Sequence, residues 1–172
     1  MKKWIIRLLV IVVVAGISIF GIFFYRSITT PQKIHIHAGF IVFDNNKELD
    51  FSGNKYMNIK PCSEAEEDHE DEENEQLEKA HLHDNVGDIV HVERSDGKWK
   101  DLFTNINYSV DYTKVTAYIN GQKVANFQNK LITAYDSAVI FIGKVDESKL
   151  KEAVKIDYMK EKEKKSNDCG SE

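Results

Sequence analysis

From Leu8 to Tyr25 no position carries a charge and most are large and apolar, whereas the rest of the chain changes between apolar and polar every few residues. Eighteen residues of helix rise roughly 27 Å, close to a hydrocarbon core of about 30 Å. Arg7 can snorkel and Trp4 suits an interface, so the pattern predicts a transmembrane anchor with its cytoplasmic tip over residues 1–26. Lys2, Lys3 and Arg7 precede the run and only Arg26 closely follows it. The positive-inside bias therefore predicts a single-pass protein of the cell membrane, N-terminus cytoplasmic and C-terminal domain extracytoplasmic. The rival is a cleaved signal peptide, but its apolar region runs about 7–15 residues and ends in small residues. Here the run ends in Phe20-Gly21-Ile22-Phe23-Phe24-Tyr25.

Residues 27–33, with Pro31, form an expected stalk before a globular domain over 34–145. Lys33 to Phe43 is β-branched and aromatic and predicts a strand that turns at Asp44-Asn45-Asn46, with Glu48 to Phe51 returning beside it. Trp99, Leu102, Phe103 and Ile106 are spaced as the buried face of a helix. Val115 to Ile119, Asn120-Gly121 and Gln122 to Ala125 form the clearest hairpin pattern, because Asn-Gly supplies the positive φ angles of a type I′ turn. Ala138 to Ile142 is a continuous apolar run suited to a central strand. Asp146 is placed to cap a last helix, with Leu150, Val154 and Ile156 inward, in a C-terminal helix and tail over 146–172. The order predicts an α+β fold: a transmembrane helix, then one mainly antiparallel β domain with two short helices.

Charge changes this picture in one place. Glu64 to Glu78 holds ten acidic residues and no basic one, with Leu77 its only large apolar side chain. Such a stretch cannot bury enough surface to order itself, so 63–79 is expected to be a disordered acidic insertion. It is either a solvated loop or a weak cation sponge that includes His69. The remaining 23 basic and 18 acidic residues form no basic patch with interleaved aromatics, so no nucleic-acid partner is expected. The two cysteines, Cys62 and Cys169, form a disulfide if the compartment is oxidising, or stay as two thiols.

Five of the six histidines fall in two patches, His35 with His37 and His81 with His83 and His91. On a strand, positions i and i+2 point to one face. Two such pairs on neighbouring strands can converge on one ion, and imidazole suits Zn and Cu among transition metals. A three-residue loop Asn85-Val86-Gly87, with Gly87 left-handed, sets His81 opposite His91 and gathers His83, His91 and Glu93 on one face; a two- or four-residue loop sends His91 to the other. The candidate ligands are His35, His37, His81, His83, His91 and Glu93, with Asp84 orienting one imidazole. The other reading is that the rings pack and hydrogen-bond without metal.

The pattern His35-x-His37-Ala38-x-Phe40, Leu49-Asp50-Phe51-Ser52-x-x-x-Tyr56-Met57, His81-Leu82-His83-Asp84-Asn85-x-Gly87-x-x-x-His91-Val92, then Asn120-Gly121 resembles an uncharacterised family. Its members are membrane-anchored extracytoplasmic domain proteins of archaea and small-genome bacteria. The resemblance covers most of residues 35–145 and carries no activity. Family members often have a further His where this chain has Glu93, and more Cys.

No Ser-His-Asp set, activated Cys or phosphate-cradling Gly loop is recognisable, so an enzyme is the weakest expectation. The leading expectation is an extracytoplasmic binding domain that holds Zn or Cu through its histidines. The alternative is a metal-free structural or protein-interaction module.

Overall fold

The computed structural model describes residues 2–57 and 72–166. The chain divides into two compact units, Met1–Gln32 and Lys33–Glu172.

The first unit is one helix, α1 (Lys2–Thr29), in which the Ser18 hydroxyl donates to the Val14 carbonyl at 2.9 Å. It takes in residues 27–29, which were expected in the stalk. Among the described residues no helix is long and apolar enough to cross a membrane, which overturns the expected transmembrane anchor. The 28-residue helix carries Lys2, Lys3, Arg7 and Arg26 within its length, and Gly16, Ser18 and Gly21 interrupt its large apolar side chains.

The second unit is an α+β domain on a six-stranded sheet. Its strands are β1 (Lys33–Asp44), β2 (Lys47–Glu48), β3 (Ile89–Arg94), β4 (Val115–Ile119), β5 (Gln122–Val124) and β6 (Ser137–Ile142). The order is β2-β1-β6-β4-β5, with β3 also paired to β1. All pairs are antiparallel except β1 with β6, which run parallel from Gly39 beside Ser137 to Asp44 beside Ile142. β6 is the central strand the apolar run predicts. The β4–β5 hairpin turns on Asn120 and Gly121 with φ of 53° and 77°, the expected I′ geometry.

β1 decides which face does what. Its even positions Ala38, Phe40 and Val42, with Ile34 and Ile36 half-buried, enter the main core. There they meet Trp99, Leu102, Phe103 and Ile106 of α3 (Trp99–Asn105) and its C-cap. The α3 N-terminus is held by the Asp101 carboxylate, which accepts the Lys98 N–H at 2.9 Å. The odd positions face the other way. Phe43 packs with Tyr118, Val139 and Phe141, and Ile41 packs near Val154 and Met159. His35 and His37 continue that odd face toward the strand's start. Gly39 lies between them and Ile41, and a Cβ there would sit 2.4 Å from the Val154 Cβ. Its missing side chain lets the C-terminal segment close onto the sheet, and that segment ends in helix α4 (Ile156–Ser166).

More helices form than the two short ones expected. Helix α2 (Glu72–Lys79) arises inside the stretch expected to be disordered. The Asn105 amide donates to the carbonyls of Gln76 and Ala80 at 2.8 and 2.7 Å, and Glu75 pairs with Arg94. Tertiary hydrogen bonds thus supply what apolar burial does not. Asp146 caps a 3₁₀ turn, Glu147–Glu152, rather than the last helix, accepting the Ser148 N–H at 3.1 Å. Val154 is buried and Leu150 half-buried, but Ile156 is 49% exposed. Cys62 and Cys169 lie outside the described residues, as does His69.

Candidate metal centre

The histidines are gathered by strand pairing. β3 runs between β1 on one side and the segment at His81 on the other. His91 is the cross-strand partner of His37 and also of His81, with which it exchanges both backbone hydrogen bonds at 2.9 Å. His81, His91 and His37 therefore stand in one row on three adjacent segments of the chain. Their ring centroids are 4.9 Å (81–91) and 4.6 Å (37–91) apart, the spacing of neighbouring strands. His35 and His83 sit diagonally, with centroids 4.4 and 4.7 Å from His91.

The expected pairing of His81 with His91 is present, but the loop beyond it differs. Asp84 and Asn85 take the left-handed conformation, both with φ 56°, and the Val86 N–H donates to the His83 carbonyl at 3.1 Å. This is a two-residue turn of the I′ kind at Asp84-Asn85, not a loop with Gly87 left-handed. Gly87 is small for another reason: a Cβ there would lie 2.3 Å from the Ser52 backbone nitrogen. His91 stays on the cluster face because the chain departs from ladder pairing between the turn and Ile89.

Each ring has a definable orientation. The Leu77 carbonyl lies 2.9 Å from His81 Nδ1 and can only accept, so Nδ1 carries the proton and Nε2 the lone pair. Leu77 lies in the last turn of α2, so the helix in the acidic run fixes this ligand. His83 Nδ1 donates to Asp84 Oδ2 at 2.6 Å. His83 Nε2 lies 2.6 Å from His91 Nδ1, and His91 Nε2 lies 3.2 Å from His35 Nδ1; in the tautomer with the His83 Nε2 lone pair free, His91 Nδ1 donates to it and His35 Nδ1 donates to His91 Nε2. The result is a directional chain Asp84–His83–His91–His35.

Burial keeps the central rings neutral. His37 is 2% exposed, and burial, with His35 beside it, pushes its pKa down to about 4. Burial also brings His81 to about 4. His91 is pushed to about 2 by burial and by His81 and His37 on either side. A neutral imidazole is the form that binds metal.

Among the described residues two sets of three histidines have ligand atoms within 4.8 Å of one another: His35, His37, His91 and His81, His83, His91. Either could hold a metal ion. Two nitrogens on a tetrahedral ion stand about 3.3 Å apart at bond lengths near 2.0–2.1 Å, so only small ring movements are required. Glu93 Oε1 lies 3.8 Å from His91 Nε2, on the side of the first set. Two groups have no counterpart in the sequence reading. Glu163 of α4 places Oε1 3.9 Å from His37 Nδ1 while its Oε2 accepts the Tyr135 hydroxyl at 2.7 Å. Tyr135 in turn donates its backbone N–H to the His37 carbonyl at 2.8 Å. Glu163 belongs to a Lys/Glu-alternating tail that has the pattern of a solvated helix end, so nothing local marks it. Comparison with protein-family models, curated proteins and solved structures gives no match.

Proposed function

We propose that this protein binds a divalent transition metal through its histidine row, and that holding the ion is its function. The observation that carries the reading is the convergence of five imidazoles into two three-histidine sets on one sheet face. Borderline ions such as Zn(II) and Cu(II) suit an all-imidazole donor set better than Mg or Ca, which take oxygen. The second support is preorganisation. Metal-bound histidines commonly donate their other N–H to a carbonyl or carboxylate, and His81 and His83 already do so to Leu77 and Asp84. Their Nε2 lone pairs are thus held ready on the cluster side.

The metal-free alternative draws on the same hydrogen bonds. A chain of hydrogen-bonded rings running from Asp84 to His35 could serve only to staple β3 to its neighbours. Calorimetry on metal-stripped, untagged protein separates the two. Zn or Cu should bind with at least one site per chain, and His91→Ala should weaken binding most, since His91 is common to both sets. Absence of binding by the parent protein would establish the structural reading.

A further inference from the structure

We propose that His91 is a bridging ligand, one ring binding two metal ions at once. This rests on the metal-binding reading above and specifies how many ions the site takes.

The argument begins with the row. On a sheet face the ring of a middle strand has a neighbour on each side, and only the middle ring can serve both. His91 is that ring, partnered by His37 on β1 and by His81 on the segment at its other side. Its two nitrogens separate the neighbours cleanly. Nδ1 faces His83 Nε2 at 2.6 Å, and Nε2 faces His35 Nδ1 at 3.2 Å. The lone-pair directions of an imidazole's two nitrogens diverge, so one ion cannot use both. An ion on Nδ1 belongs with His81 and His83; an ion on Nε2 belongs with His35 and His37. These are the two sets that geometry selects, and His91 is their one shared member. With bonds of about 2 Å on either side of the ring, the ions would stand about 6 Å apart.

The two halves are also completed by different groups. On the Nδ1 side, Leu77 and Asp84 hold the outer nitrogens of His81 and His83. On the Nε2 side, Glu93 Oε1 lies 3.8 Å from His91 Nε2, near enough to become a carboxylate ligand, and His37 turns Nδ1 toward Glu163. A single ion would leave one half idle.

The proton inventory is simple. With one ion on Nδ1, the ring proton of His91 moves to Nε2, and the proton of His35 moves from Nδ1 to its own Nε2, so that His35 Nδ1 accepts. The second ion replaces the His91 proton: the N–H bond breaks, a metal–nitrogen bond forms, and the proton leaves to solvent. No oxidation state changes.

The test uses the full chain, metal-stripped and titrated with Cu(II) sulfate, with retained copper counted by elemental analysis after desalting and the spin signal followed by electron paramagnetic resonance. Bridging predicts two retained ions per chain. The signal should grow to the first equivalent and then fall as the second ion couples antiferromagnetically through the ring. His81→Ala should retain one ion with a normal, uncoupled signal, and His35→Ala paired with His37→Ala should do likewise from the other side. His91→Ala should abolish coupling, and the two flanking variants keep the test valid if that protein does not fold. One retained ion in the parent, or two with full uncoupled signal, overturns the bridge but leaves metal binding standing. No retained ion overturns both.

Discussion

Acid should unfold the metal-free domain through its buried histidines. His37 and His81 each fall from an ordinary value of 6.5 to about 4 in the folded protein, burial being the main cause. The unfolded chain therefore binds more protons than the folded one at any pH between these values, so stability falls as pH falls below about 6.5 and continues to fall toward about 4. From pH 7 to pH 5 the difference is about 2 kcal/mol for each ring, or about 4 kcal/mol for the pair. His91, lowered further, adds a contribution of the same sign. For a domain whose total stability is on the order of 5–15 kcal/mol this is a large fraction. Urea unfolding followed by Trp fluorescence at pH 7, 6 and 5, in the presence of a chelator, reads it directly. With a slope of about 2 kcal/mol/M the midpoint should drop by about 2 M. Ordinary carboxylates titrate below this window, so the drop isolates histidine. A midpoint that stays constant from pH 7 to pH 5 would show that the rings are not buried as neutral groups, and the reasoning fails.

Three further outcomes are expected. Trp99→Ala removes a wholly buried indole from the main core and should cost about 3–5 kcal/mol in chemical denaturation. Gly87→Ala drives a methyl to 2.3 Å from the Ser52 nitrogen and should destabilise by about 1–3 kcal/mol, with His83 displaced and metal affinity reduced in the same protein. Asp84→Asn keeps a residue that tolerates the left-handed turn but removes the carboxylate charge that faces His83 Nδ1; calorimetry should show Zn binding weaker by about tenfold with folding intact.

The period-two placement of His35 and His37 was legible because a strand has only two faces, whereas the pairing of His81 with His91 was reached through a loop the structure does not have. The Asn120-Gly121 hairpin and the α3 face were legible because turn chemistry and helical spacing are local. Other features were not, for identifiable reasons. The run at Glu72–Lys79 has Leu77 as its only large apolar side chain, and its helix depends on Asn105 and Arg94, distant in sequence. Glu163 reaches His37 only because Gly39 lets the C-terminal segment approach the sheet. The turn after His83 was assigned to Gly87 on residue preference, yet Asp84 and Asn85 also accept positive φ, and the packing of Gly87 on Ser52 settles which pair does so. The apolar run of α1 suggested a membrane span by its lack of charge, yet among the described residues no helix is both long and apolar enough to be one.

The parallel ladder between β1 and β6 has a consequence in time. Gly39 pairs with Ser137, so the centre of the sheet joins segments from the two ends of the domain. Contacts this distant in sequence are slow to form, because a long loop must close first. All five histidines precede Ser137 in the chain. On a polypeptide emerging from the ribosome the row His81, His91, His37 has every member before β6 and α4 exist to cover it. In the interval between synthesis of β3 and arrival of the C-terminal helix, His37 stands without the Glu163 that later faces it, so the row is paired before its α4 side is built.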